Sequence, residues 1–409
     1  MRANLLLGAA LLLMAGAANA AEPDNLILPS GFHATVVADG IKGLRHLAAT
    51  PSGDLYASTR DGLVALKLDK DHKAGEPQLF NKDAGSGTGI KLYHGALYAS
   101  SAAAVYRIKL DKNLVPTAAP EKILDGMPTT GFNNRVITFD NAGNLYVGVG
   151  GSGNTCTGPA VKGQPPVGLT PCPGIQDRGG IWKFKADRLN QKFPADGVAV
   201  ATGLRDMDAM DFRPGDGLYA VMHNRNGTHA QFPNVVSADD DDAIAEEMDR
   251  ISGKAVVNMG WPFTYWDGKQ KIRLMAPEYG GNDKTQPPAG LYATPAADFY
   301  PSHAPLDLMF YRATQFPAKY RGGAFLVDHG GNGGHVAAGG YDVEFVPFDH
   351  GKAGTPEVFA DGFAGVGQEA RNPAKAIYRP VGGTVGADGS LYIADSQKGR
   401  IWRISYSGK

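Results

Sequence analysis

The chain has 409 residues, 55 of them glycine, with 43% hydrophobic and 20% charged residues and a formal net charge of −1. That balance gives no electrostatic support for nucleic acid or an anionic membrane as partner. With only two cysteines and no Cys-x-x-Cys-His run, neither a cysteine-held metal site nor an attached haem is expected.

The N-terminus reads as a targeting segment. Arg2 supplies the positive start, Leu5 to Met14 an apolar run, and Ala18-Asn19-Ala20 a small-residue cleavage site. The run is too short to span a bilayer and no second one follows, so residues 1–20 are expected to be a signal peptide. Residues 21–409 are expected to form one exported domain, periplasmic in a Gram-negative source.

Along that domain a Gly-containing turn runs six times into a short Leu-Tyr-type strand. The six are Leu55-Tyr56, Leu97-Tyr98, Leu145-Tyr146, Leu218-Tyr219, Ala324-Phe325 and Leu391-Tyr392. Most are followed by a second alternating strand, as in Val64-Ala65-Leu66, Val105-Tyr106-Arg107-Ile108, Ile181-Trp182-Lys183-Phe184 and Ile401-Trp402-Arg403-Ile404. All-β units repeated at this spacing predict an all-β, six-bladed β-propeller, with the Leu-Tyr strand innermost and chemistry at the channel mouth. His33 to Val37 is expected to close the ring against the last blade, since closure removes exposed edges. Roughly 65 residues per blade exceed the ~40–45 of compact propellers, so long loops are expected at 150–180, 222–245 and 264–300. Cys156 and Cys172 are expected to pair in an oxidising compartment. Asp239 to Asp242 reads as a solvated loop.

Several chemical-looking motifs lack their context. Gly148 to Gly153 follows a strand but opens no helix, so a dinucleotide site is excluded in favour of a mobile glycine loop. His329 to Gly334 lacks the Lys-Ser or Lys-Thr of a P-loop, and no Gly-x-Ser-x-Gly or His-Glu-x-x-His occurs.

The segments flanking the strands are similar to the glucose/sorbosone dehydrogenase family, six-bladed propellers that use pyrroloquinoline quinone (PQQ) and calcium, and within it to the L-sorbosone dehydrogenase-like branch. The resemblance rests on Leu28 to Phe32, Gly203-Leu204-Arg205-Asp206, Asn258 to Pro262, Ser302 to Leu306, Gln315 to Gly323 and Tyr378 to Val381. It implies that Arg205 and Arg379 contact the cofactor, with Ser302, His329 and Arg45 as further contacts. PQQ is a planar tricarboxylate, which arginine forks match. The resemblance also implies that backbone carbonyls at Asn224 and Arg225 hold calcium, although the family's Asp-Asn-Gly-Arg-Asp reads Met222-His223-Asn224-Arg225-Asn226 here.

The family's general-base histidine falls at Phe132, which cannot take a proton. Asp206, His223 and His303 are the candidates to replace it. His33, His46, His72, His94, His229, His335 and His350 are expected in structural or surface roles. The resulting expectation is a PQQ- and calcium-dependent dehydrogenase that oxidises an aldose or sugar aldehyde and passes electrons to an external acceptor. The alternative is a catalytically silent propeller that binds a sugar or a protein at the mouth. No convergent acidic set stands out that would favour a third reading, a calcium-dependent lactonase.

Overall fold

The computed structural model describes residues 26–84, 87–253, 255–331 and 339–408. The expected leader, residues 332–334 of the glycine run and His335 lie outside them. Six mainly antiparallel sheets stand in a ring. Blade 1 orders Leu44–Ala49, Leu55–Thr59, Gly62–Leu66 and Gln78–Phe80 from first strand to last. Blade 2 starts at Ile90–Tyr93, blade 3 at Ile137–Phe139, blade 4 at Asp206–Arg213, blade 5 at Pro305–Phe310 and blade 6 at Pro380–Val385. Phe32–Ala38 supplies the fourth strand of blade 6, with Phe32 opposite Tyr406, so the two ends of the ring are sewn into one sheet. No helix among the described residues is long and apolar enough to cross a membrane.

The Leu-Tyr strand is the second of each blade, not the innermost. The first strands, which carry no shared motif, contact one another around the channel. The second strand has to bury both faces because it lies between the first strand and the third. Its alternation then serves two neighbouring blades. Leu55 packs with Tyr392 of blade 6, while Tyr56 packs with Leu97 of blade 2 and donates its hydroxyl to Leu114 O at 2.7 Å. Tyr98 likewise packs against Leu145 of blade 3 and donates to Ala186 O at 3.1 Å. The core is therefore a set of apolar layers between blades, each buried Leu contributing about 1.5–3 kcal/mol.

Outer edges are covered by strands borrowed from the next blade's connection. Gln191–Lys192 pairs in parallel with Glu121–Asp125 of blade 2, and Val257–Asn258 with Val198–Thr202 of blade 3. Such cover blunts edges that would otherwise template aggregation. Cys156 and Cys172 are joined, closing a 16-residue separation in the long loop after the second strand of blade 3. The glycine run at the start of that loop is a packed seam and not the expected loose loop. A Cβ at Gly151 would lie 2.5 Å from the Trp261 indole, and Gly151 N donates to Arg205 O at 2.6 Å. Asp239 to Asp241 belong to a one-turn helix capped by Ser237.

Candidate active site at the channel mouth

Antiparallel register places the start of each first strand beside the end of the second. Leu44 is opposite Thr59, Asp206 opposite His223, Pro305 opposite Asp328 and Pro380 opposite Asp395. All the sequence-predicted site residues therefore emerge at one end of the ring. In blades 1, 4, 5 and 6 the first strand is bulged there, between Leu44 and Leu47, Met207 and Ala209, Pro305 and Asp307, and Pro380 and Gly382. A bulge re-aims the extra side chain, which is how Arg45 and Asp208 come to interact from opposite sides of the channel.

On the side of blades 6 and 1, Arg45, His329 and Arg379 act on one another electrostatically. The Arg45 guanidinium is half-buried and makes no hydrogen bond to any described residue. Arg379 donates from Nη2 to Gly330 O at 2.6 Å and from Nε to His329 O at 3.3 Å, which leaves Nη1 without a described partner. His329 Nε2 lies 2.8 Å from Ser396 Oγ, and burial followed by the charges of Arg379 and Arg45 holds the imidazole well below its usual pKa. Ser302 sits in left-handed backbone (φ 62°) under the Gly330-Gly331 turn.

The arginines of blades 3 and 4 differ. Arg205 is buried and donates from Nε to Asn154 Oδ1 at 3.0 Å and from Nη1 to His223 O at 3.1 Å. Its guanidinium carbon stands 4.7 Å from the centre of the Phe132 ring, so Phe132 serves as its stacking platform. Arg225 forms a buried fork with Glu278, both contacts 3.0 Å, so only its backbone faces the question of a metal. Asn224 Nδ2 donates to Ala245 O and Glu247 Oε1. No described group donates to the backbone carbonyls of Asn224 and Arg225.

The three candidate bases separate clearly. His223 is half-buried with Nδ1 2.7 Å from Glu246 Oε1, and its Nε2 has no described partner. A carboxylate on Nδ1 fixes the tautomer and leaves Nε2 as a proton acceptor. Asp206 is partly exposed, its Oδ1 unpartnered, and burial raises its pKa against the opposing charges of His223 and Arg205. His303 is the least accessible of the three: it is 6% exposed, its Nδ1 lies 3.9 Å from Glu344 Oε2, and burial pulls it down to about 4 against the raising charge of Glu246. The expectation of no convergent acidic set is also corrected. Asp328, Asp342 and Glu344 meet on one face of blade 5, brought together by a register that the linear sequence does not display. Glu246, Asn154 and Asp208 are further site residues that the sequence reading missed. No motif marks them.

A family model described as TrAA12-like matches residues 26–407. The chain belongs to the TrAA12-like family. No curated protein matches the sequence. Its fold is shared with the holo pyranose dehydrogenase PQQ domain of Coprinopsis cinerea (TM-score 0.74, 17% identity, 93% of this chain and 97% of that one). A calcium structure of the Trichoderma reesei family AA12 protein gives the same four values. The PQQ-bound aldose sugar dehydrogenase of Streptomyces coelicolor follows (TM-score 0.56, 18% identity, 93% of this chain and all of that one). The TrAA12-like assignment accords with the expectation of a six-bladed propeller of the PQQ sugar-dehydrogenase type.

Proposed function

We propose that this protein is an exported sugar oxidoreductase that binds PQQ, with calcium, at the channel mouth. The observation that carries the reading is a pair of guanidinium groups with open donors, Arg45 and Arg379, on the opposite side of the mouth from an oriented imidazole, His223. Half-buried guanidinium groups without a described salt-bridge partner are costly unless an anion fills the space, and a planar tricarboxylate supplies matching acceptors. His329 and Ser302 line the same side and would offer neutral donors. Arg205 acts one step back, holding Asn154 and the His223 carbonyl, with Nη2 left to reach a carboxylate. The open carbonyls of Asn224 and Arg225, close to Glu246, suit a hard cation.

When bound, PQQ polarised by calcium supplies the two-electron acceptor for the carbinol hydrogen. His223 Nε2 takes the hydroxyl proton of an aldose hemiacetal or of a hydrated sugar aldehyde, and Glu246 stabilises the imidazolium that forms. Phe132 excludes water behind Arg205 and does not take part in proton transfer. Electrons leave to an external acceptor. Export is supported by the leader-like N-terminal sequence and by the Cys156–Cys172 bond, which suits an oxidising compartment.

The test is to add PQQ and Ca²⁺ to purified protein, follow the quinone absorbance, then supply aldoses and sugar aldehydes with an artificial acceptor. Saturable binding with turnover that is lost in His223→Ala supports the proposal. Binding without turnover of any sugar would favour a silent propeller.

A further inference from the structure

We infer that His303, Asp328, Asp342 and Glu344 form a second metal site, for a divalent ion of the zinc or manganese type, buried in blade 5 beside blade 4. It is separate from the calcium position at residues 224–225. Potential ligand atoms of His303, Asp328 and Asp342 all lie within 4.8 Å of one another. Asp328 stands directly across from Asp342 in the strand pair, and Glu344 follows two residues later on the same face. Three acids on one face, two of them directly opposed, repel one another unless a cation intervenes.

The cluster is not a solvated patch. Asp328 is 0% exposed and neither of its carboxylate oxygens has a described partner. Asp342 Oδ1, Glu344 Oε2 and His303 Nδ1 are likewise buried without partners. Orphaned buried polar atoms are costly, so three such side chains converging within 4.8 Å, with Glu344 Oε2 3.9 Å from His303 Nδ1, call for a ligand. Arg371 is the one described cation that reaches them, at 3.3 Å from Asp342 Oδ2, and it divides its charge with Asp361. One shared arginine among three carboxyls leaves a deficit that a divalent ion would fill.

The backbone holds the histidine in place. Ser302 (φ 62°) and Ala304 (φ 51°) flank His303 in left-handed conformations that L-residues adopt only under constraint. Gly339 abuts the Cδ2–Nε2 edge of the ring, where a Cβ would come within 2.2 Å of both atoms, so Nδ1 is the nitrogen presented to the acids. One imidazole nitrogen with carboxylate oxygens is a zinc or manganese donor set, whereas calcium takes oxygen ligands alone. Glu344 also lines a cleft of about 680 Å³ between blades 4 and 5, bordered by Trp266, Lys271 and Tyr300.

The experiment uses the full chain stripped with chelator and without PQQ, so that its outcome is independent of the cofactor reading. Calorimetric titration with Zn²⁺, and with Mn²⁺ followed by electron paramagnetic resonance, should show one ion per chain. Asp328→Asn and Asp342→Asn should each weaken it about 100-fold or more, with circular dichroism confirming the fold, while Glu246→Gln, whose charge acts on His303 and Asp328 from a neighbouring position, should weaken it far less. The inference is overturned if the wild type binds neither ion, if both asparagine variants bind like wild type, or if Glu246→Gln alone abolishes binding. Displacement of Zn²⁺ by equimolar Ca²⁺ would overturn the assigned class of ion.

Discussion

The two sides of the channel mouth carry opposite unfilled demands. On blades 6 and 1 the open groups are cations, Arg45 and Arg379; on blades 4 and 5 they are carboxyls, Asp206, Asp208, Asp328, Asp342 and Glu344. Other charges at the same end of the ring are already paired, as in the Arg225–Glu278 fork and the Glu247–Arg273 contact. Charge type alone therefore does not identify a ligand-binding residue. What distinguishes Arg45 from Arg225 is whether the protein has already supplied the counter-charge.

Substitution at the proposed base should break the comparison most strongly. His223→Ala is expected to lower kcat by about 10²–10⁴-fold, with PQQ affinity retained, because a positioned imidazole contributes on that scale. Asp206→Asn and His303→Ala should cost far less in kcat. Phe132→His should bring no gain, since the new ring would sit beside the Arg205 guanidinium and would replace its stacking platform. Steady-state kinetics of the four variants decide among them.

The paired and open arginines come next. Arg225→Met should destabilise the fold by about 3–5 kcal/mol in urea unfolding, because Glu278 is left buried and unpaired. Arg45→Met should leave stability nearly unchanged and weaken PQQ instead. If both variants lose stability equally, the division between paired and open cations fails.

How much of this was legible in the sequence differs from residue to residue. The glycine turn and Leu-Tyr pair repeat because every second strand solves the same inter-blade packing problem, so the propeller and its six units could be read directly. The rank of that strand within a blade could not, because Leu44–Ala49 and Asp206–Arg213 share a position but no pattern. The arginines stood out on loops beside recognisable turns. Glu246 did not, since it lies in an acidic stretch, Asp239 to Glu247, that resembles a solvated surface. Asp328 and Asp342 meet only through antiparallel register, which no local signal reports.

A smaller effect concerns pH. Asp208 is fully buried, and burial with the nearby Asp206 charge raises its pKa well above the ordinary carboxylate value. The folded chain therefore holds a proton that the unfolded chain has released. That contribution to stability is complete below the unfolded pKa of about 3.9 and is lost as pH rises through the folded value. Asp208→Asn should raise Tm at pH 8, with the gain shrinking towards pH 4. A gain that is larger at pH 4 would mean the carboxylate is stabilised as an anion, for instance by Arg45 and Asn134.

The measurement closest to the central claim is PQQ titration of wild type, Arg45→Ala, Arg379→Ala and the double variant in the presence of Ca²⁺. One PQQ per chain should bind, each single variant should lose about ten- to a hundredfold in affinity, and the double variant more than either, as expected for charge-assisted contacts of about 1.5–3 kcal/mol. Absence of binding to the wild type, or equal affinity in all four proteins, would contradict the assignment of that side of the mouth to an anionic cofactor.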